Sequence, residues 1–88
     1  MGWTIEYAQS VRKSVKALDP MVRRRIREYL EKRVADLPDP RGLGAPLNGE
    51  FSELWRYRVG DYRVICELRD EALIVLVVKV GHRREVYR

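Results

Sequence analysis

The hydrophobic period of this chain changes once, and that change decides what it can fold into. From residue 8 to residue 37 apolar side chains recur at helical spacing, whereas from residue 51 to residue 80 they follow the two-residue period of strands. A helical half followed by a strand half predicts an α+β domain with its helices gathered on one face of a sheet. Residues 3–7 alternate apolar and polar and read as a short leading strand. Ala8, Val11, Val15 and Leu18 then mark a first helix of about ten residues. Asp19-Pro20 starts a second helix, with Asp as N-cap and Pro where its missing N–H costs nothing. That helix is predicted over residues 20–37, with Val22, Ile26, Tyr29, Leu30, Val34 and Leu37 as its buried stripe. Three prolines and two glycines between residues 38 and 46 end it.

Beyond that loop, residues 51–58, 62–68 and 73–80 read as three consecutive strands, with turns at Gly60-Asp61 and Arg69-Asp70-Glu71. The last is apolar on both faces, which predicts a central strand. The expected order is βααβββ: a two-helix hairpin on one face of a four-stranded, mostly antiparallel sheet, in a single domain over residues 1–88. A chain of this size buries only about 60% of its unfolded surface, so the core must be compact.

Composition narrows the function classes. Cys66 is the one cysteine, so no internal disulfide and no cysteine-rich metal site can form, which suits a reducing, cytoplasmic setting. The first six residues do not read as a secretion signal, and the longest apolar run, residues 73–78, is far below the roughly 20 residues of a membrane helix. Eighteen Lys and Arg against 13 Asp and Glu leave a net charge of +5, which favours phosphate backbones, anionic membranes or an acidic partner. Arg outnumbers Lys, and its planar fork suits bidentate phosphate contact.

A two-residue turn at Gly60-Asp61 sets Arg58 opposite Arg63 and Arg56 opposite Ile65. Alternation then projects Arg56, Arg58 and Arg63 from one face, with Trp55, Tyr57, Val64 and Cys66 on the helix-facing side. Like charges facing each other cost stability, so an anionic ligand explains the cluster better than folding does; a solvated, mildly repulsive surface is the plain alternative. The C-terminal ten residues add Lys79, His82, Arg83, Arg84, Tyr87 and Arg88. His82 is of the residue type that most often serves acid–base work, although a lone histidine in a basic tail is commonly just solvated. Tyr87 starts from a pKa near 10 that neighbouring arginines would lower, or it closes the sheet edge by packing. No phosphate-binding glycine loop, metal-ligand cluster or nucleophile–base pair is supported by the spacing, so neither a metal nor a cofactor is expected.

Two runs, Leu54-Trp55-Arg56-Tyr57-Arg58-Val59-Gly60-Asp61-Tyr62-Arg63-Val64-Ile65 and Val80-Gly81-His82-Arg83-Arg84-Glu85-Val86-Tyr87, together with the βααβββ order, resemble the RelE/ParE superfamily of type II toxins. The first run is common to the superfamily, including its gyrase-poisoning members; the second is more similar to the ribonuclease branch. The resemblance implies a ribosome-dependent, metal-independent mRNA endoribonuclease. In it Tyr87 is the general base, while Arg63 and Arg83 bind the scissile phosphate and Arg56 stabilises charge where relatives often carry Lys. Arg58, Lys79, His82 and Arg84 would contact RNA. Arg56 makes a poor proton donor, so, apart from the resemblance, His82 or Lys79 is the candidate in this chain to protonate the leaving 5′-oxygen. A cognate antitoxin, amphipathic or acidic, is the implied protein partner. A ParE-like gyrase inhibitor and an inactive antitoxin-binding member remain the alternatives.

Overall fold

The computed structural model describes residues 2–47 and 54–86. Strand β1 (Thr4–Tyr7) leads into α1 (Gln9–Lys16) and α2 (Pro20–Glu28). Helix α2 begins as the sequence predicts: Asp19 accepts a 2.9 Å hydrogen bond from Met21 N, with Pro20 in the first turn. It does not run on as one α-helix. Residues Tyr29–Val34 form a π-helical turn closed by Ala35 N donating to Leu30 O at 2.8 Å. The wider turn lets Leu30, Val34 and Ala35 all face inward, and it presents Ala35 O to Trp3 N at 2.8 Å. No glycine or proline marks this change in the sequence.

A 3-10 turn (Pro40–Leu43) follows, then β2 (Ala45–Pro46), β3 (Leu54–Val59), β4 (Tyr62–Arg69), β5 (Ile74–His82) and a short α3 (Arg83–Val86). Part of the strand expected over residues 51–58 lies outside the described residues. Among the described residues the sheet has five strands rather than four, in the order β1-β5-β4-β3-β2, because Ala45 and Pro46 pair with Arg56 and Trp55. β5 lies inside the sheet as its apolar run predicted, parallel to β1 and antiparallel to β4. The second hairpin turn falls at residues 70–73, with Leu73 at φ 54°. β5 also extends to His82, taking in residues read from the sequence as a basic tail.

The core lies between the helices and one face of the sheet. Val11, Ile26, Leu30 and Val34 pack with Tyr57, Val59, Val64, Cys66, Val75, Val77 and Val80. Tyr57 is fully buried and donates its hydroxyl to Pro40 O at 2.9 Å; its ring lies so close to Gly44 that a Cβ there would meet it at 3.0 Å. Arg41 fastens the same loop from outside, with a bidentate pair to Asp70 at 3.0 and 2.8 Å and its guanidinium over the Trp55 ring. This contact holds the Asp70 carboxyl below the usual carboxylate range.

Burial also raises the Cys66 thiol well above its ordinary value. Native protein should therefore label slowly with a thiol reagent and unfolded protein fast; rapid native labelling would contradict the register of the hairpin. Tyr57→Phe should cost about 1–3 kcal/mol, because it strands the buried Pro40 carbonyl. Urea unfolding measures this, and an unchanged midpoint would show that the hydrogen bond contributes nothing.

Candidate nucleic-acid interface

The hairpin register is the predicted one: Arg58 pairs with Arg63, Arg56 with Ile65 and Val59 with Tyr62. Gly60 supplies the φ of +62° that primed hairpin turns require. Across β4 and β5 the pairs are Arg63 with Gly81 and Ile65 with Lys79, followed by a bulge before Cys66 meets Val77. On the sheet face away from α1 and α2, Arg58, Arg63 and Gly81 thus form one cross-strand row. Arg56, Ile65 and Lys79 form the next.

The bulge at Val78 is what brings Lys79 here. Unbroken alternation from Val75 and Val77 would send Lys79 into the core and Val80 out. One extra residue reverses this, so that Val80 is buried and Lys79 exposed. Gly81 sets no side chain opposite Arg63.

Two sequence expectations change, and one contact is new. Arg63 was placed on an open face, but it is only 6% exposed. Its NH1 donates to Gly60 O and Tyr62 O, each at 3.0 Å, so the guanidinium curls along its strand onto the turn. His82 does not join the arginine face. It pairs with Tyr62 on the helix side of the sheet, the rings meeting edge to face at 5.7 Å, and its Nδ1 accepts from Arg84 N at 3.3 Å. The C-terminal run also leaves the turn by a route the sequence did not disclose. Arg83 N donates to Asp61 O at 2.8 Å, which fixes the start of α3 against the hairpin. The carbonyls of Gly60, Asp61 and Tyr62 are therefore all taken by Arg63 and Arg83, and this brings the two residues together. Exposed Arg83 and Arg84 border this end of the sheet. Tyr87 lies outside the described residues.

Among the described residues, no carboxylate pairs with Arg58, Arg63, Lys79, Arg83 or Arg84, whereas Arg24, Arg41 and Arg69 each hold an acidic neighbour. Those five side chains therefore carry their charge without an acidic partner among the described residues, an arrangement that can hold phosphate oxygens. Among the described residues there is also no group of three or more His, Cys, Asp or Glu side chains able to hold a metal ion. No helix there is long and apolar enough to cross a membrane.

Fold and face together define a small basic α+β domain with several cationic side chains on one sheet surface. Residues 5–87 match the family described as the ParE toxin of the type II toxin–antitoxin system parDE, and the chain belongs to that family, within the RelE/ParE superfamily. Toxin RelG of Mycobacterium tuberculosis is 28% identical over 89 residues, covering 100% of this chain and 99% of that protein. A chain of the toxin–antitoxin complex RelBE2 from the same organism superposes with a TM-score of 0.84 at 24% identity, over 97% of this chain and 95% of that one. A mutant of E. coli toxin RelE in the free state gives 0.77 at 23% identity, over 99% and 92%.

Burial changes what an Arg63 variant should do. Arg63→Ala should lower stability by about 1–3 kcal/mol by freeing the turn carbonyls, while Arg58→Ala should stay within about 0.5 kcal/mol. Paired urea titrations compare them; equal midpoints would show that the turn does not depend on Arg63.

Proposed function

We propose that this toxin is a ribosome-dependent endoribonuclease that cuts mRNA in the decoding site, without metal or cofactor. The observation that carries the reading is the convergence of Arg63 and Arg83 on three successive turn carbonyls, at the end of a face that also holds Arg56, Arg58 and Lys79. In the reaction the RNA 2′-oxygen bonds to the adjacent phosphorus and the bond from phosphorus to the 5′-oxygen breaks. The products are a 2′,3′-cyclic phosphate and a 5′-hydroxyl. Tyr87, as phenolate, takes the 2′-hydroxyl proton. Arg63 and Arg83 bind the phosphate and offset the charge that grows on it. Arg56 adds charge but no proton, because its guanidinium stays protonated.

The leaving 5′-oxygen needs a proton donor. Lys79 fits that role better than His82, since it shares a cross-strand row with Arg56 and Ile65 while His82 is turned to the helices. Arg58 and Arg84 contact RNA without taking part in the chemistry, and His82 supports Tyr62. Action on ribosomes places the protein in the cytoplasm. A cognate antitoxin is the expected protein partner: the similar chain of M. tuberculosis RelBE2 comes from a toxin–antitoxin complex, as does that of E. coli RelBE.

The matched family's own description as ParE favours a second reading, a non-enzymatic inhibitor of DNA gyrase. Single-turnover cleavage of mRNA on programmed ribosomes separates the two. Tyr87→Phe should slow the wild-type rate by about 10²–10⁴-fold, and Arg83→Ala by roughly 10²–10³-fold, with circular dichroism unchanged. A folded Tyr87→Phe variant cutting at full rate removes Tyr87 from the mechanism. A wild type that leaves ribosomal mRNA intact but inhibits gyrase establishes the second reading.

A further inference from the structure

A second basic surface lies beside the arginine face. Residues of α2 and its π-helical continuation form an open groove against the end of β3, lined by Arg25, Glu28, Tyr29, Lys32, Arg33 and Arg58. β2 pairs only with Trp55 and Arg56, so among the described residues the later part of β3 is a sheet edge. We propose that this groove grips the sugar–phosphate backbone of folded RNA away from the cleaved strand, and so seats the arginine face on its substrate. The choice of RNA rests on the ribosome reading above; the grip itself rests on the groove.

Charge is the first argument. Among the described residues Arg25, Lys32, Arg33 and Arg58 form no ion pair, and the groove's one carboxylate, Glu28, is bound by Arg24 at 3.2 Å. Four cations gathered around a concavity repel one another unless an anion is shared among them. The second argument is placement. Arg33 lies over the Tyr29 ring at 5.7 Å, which restrains its guanidinium. Arg25 rests against bare backbone at the hairpin turn, where a Cβ on Gly60 would meet its NH1 at 3.2 Å. Chemistry supplies the third. The groove offers guanidinium and ammonium groups but no Asn or Gln to read base edges, so it suits phosphates of any sequence. An amphipathic protein segment would need more apolar lining than Tyr29 and Val59 provide. Arg58 belongs to both the groove and the arginine face, so one continuous track of cations joins them.

The test uses a double variant, Lys32→Ala with Arg33→Ala, both exposed positions. Its control, Lys13→Ala with Lys16→Ala, removes the same charge from α1. Binding of an A-form RNA hairpin, and of a DNA hairpin of the same sequence, is followed by anisotropy over a salt series. Loss of two phosphate contacts should weaken RNA binding roughly 10-fold and reduce the salt slope by about 1.5–2, while the control pair changes little. On ribosomes the groove variant should need more toxin for half-maximal cleavage, with the saturated single-turnover rate unchanged. Equal losses from both pairs, or none from the groove pair, overturn the proposal. DNA bound as tightly as RNA overturns the assignment to RNA, and so does intact RNA binding with lost affinity for a polyglutamate peptide. Should the wild type fail to cut on ribosomes while the groove variant still loses the RNA hairpin, the nuclease reading falls and the groove stands.

Discussion

The layout depends on one extra residue, Val78, in the strand that every layer touches. β5 must bury Val75, Val77 and Val80 beneath the helices while keeping Lys79 in water, and strict alternation cannot satisfy both. A lysine inside a core would be desolvated at a cost that no packing there offsets. The bulge resolves the conflict, and everything after it changes face. Lys79 joins Arg56, Gly81 lies opposite Arg63, and His82 meets Tyr62 on the helix side. Packing therefore dictates which basic residues share a surface.

The hairpin turn is the second organising point. The Gly60 and Asp61 carbonyls, which lie outside the strand ladder, would need donors from water if the turn stood alone. Here Arg63 NH1 and Arg83 N supply them. The same bonds that finish the turn tie the end of β5 to it, so the turn and the start of α3 hold each other. Arg63 is consequently a structural residue whatever else it does. An activity loss in its variants has meaning only beside a stability measurement, whereas exposed Arg83 is tied through its backbone N–H, which an alanine retains.

Much of this was legible in the sequence, for definite reasons. Gly60-Asp61 fixed the hairpin because a two-residue primed turn permits one register, and Asp19-Pro20 fixed the start of α2 because capping chemistry is local. The family resemblance likewise rested on contiguous runs of residues. What escaped depended on contacts remote in sequence. The π-turn follows from the demand that Ala35 face β1; the fifth strand follows from pairing between Ala45 and Arg56. Leu73 adopts a left-handed conformation with no glycine or asparagine to announce it, so the turn was placed too early. Lys79 among valines was a visible sign that alternation had to break, but only the paired strand shows where. The burial of Arg63 had no local sign, since the bonds that cover it go to backbone.

Four of the thirteen acidic side chains are tied up by arginines that lie away from the cationic regions. Glu28, Asp39, Asp70 and Glu67 are each held by an arginine, Arg24, Arg41 or Arg69, none of which belongs to the arginine face or lines the groove. Acidic side chains left loose nearby would neutralise the cations they approached. Held on their own partners, they leave a field that acts over the Debye length of about 8 Å at physiological salt. β4 separates Arg58 on β3 from Lys79 on β5 by two strand spacings of about 4.8 Å each, so an anion over β4 lies within that reach of both even though they do not touch each other. A polyanion laid across the sheet feels the strands as one cationic plane, and a groove beside that plane extends it rather than competing with it.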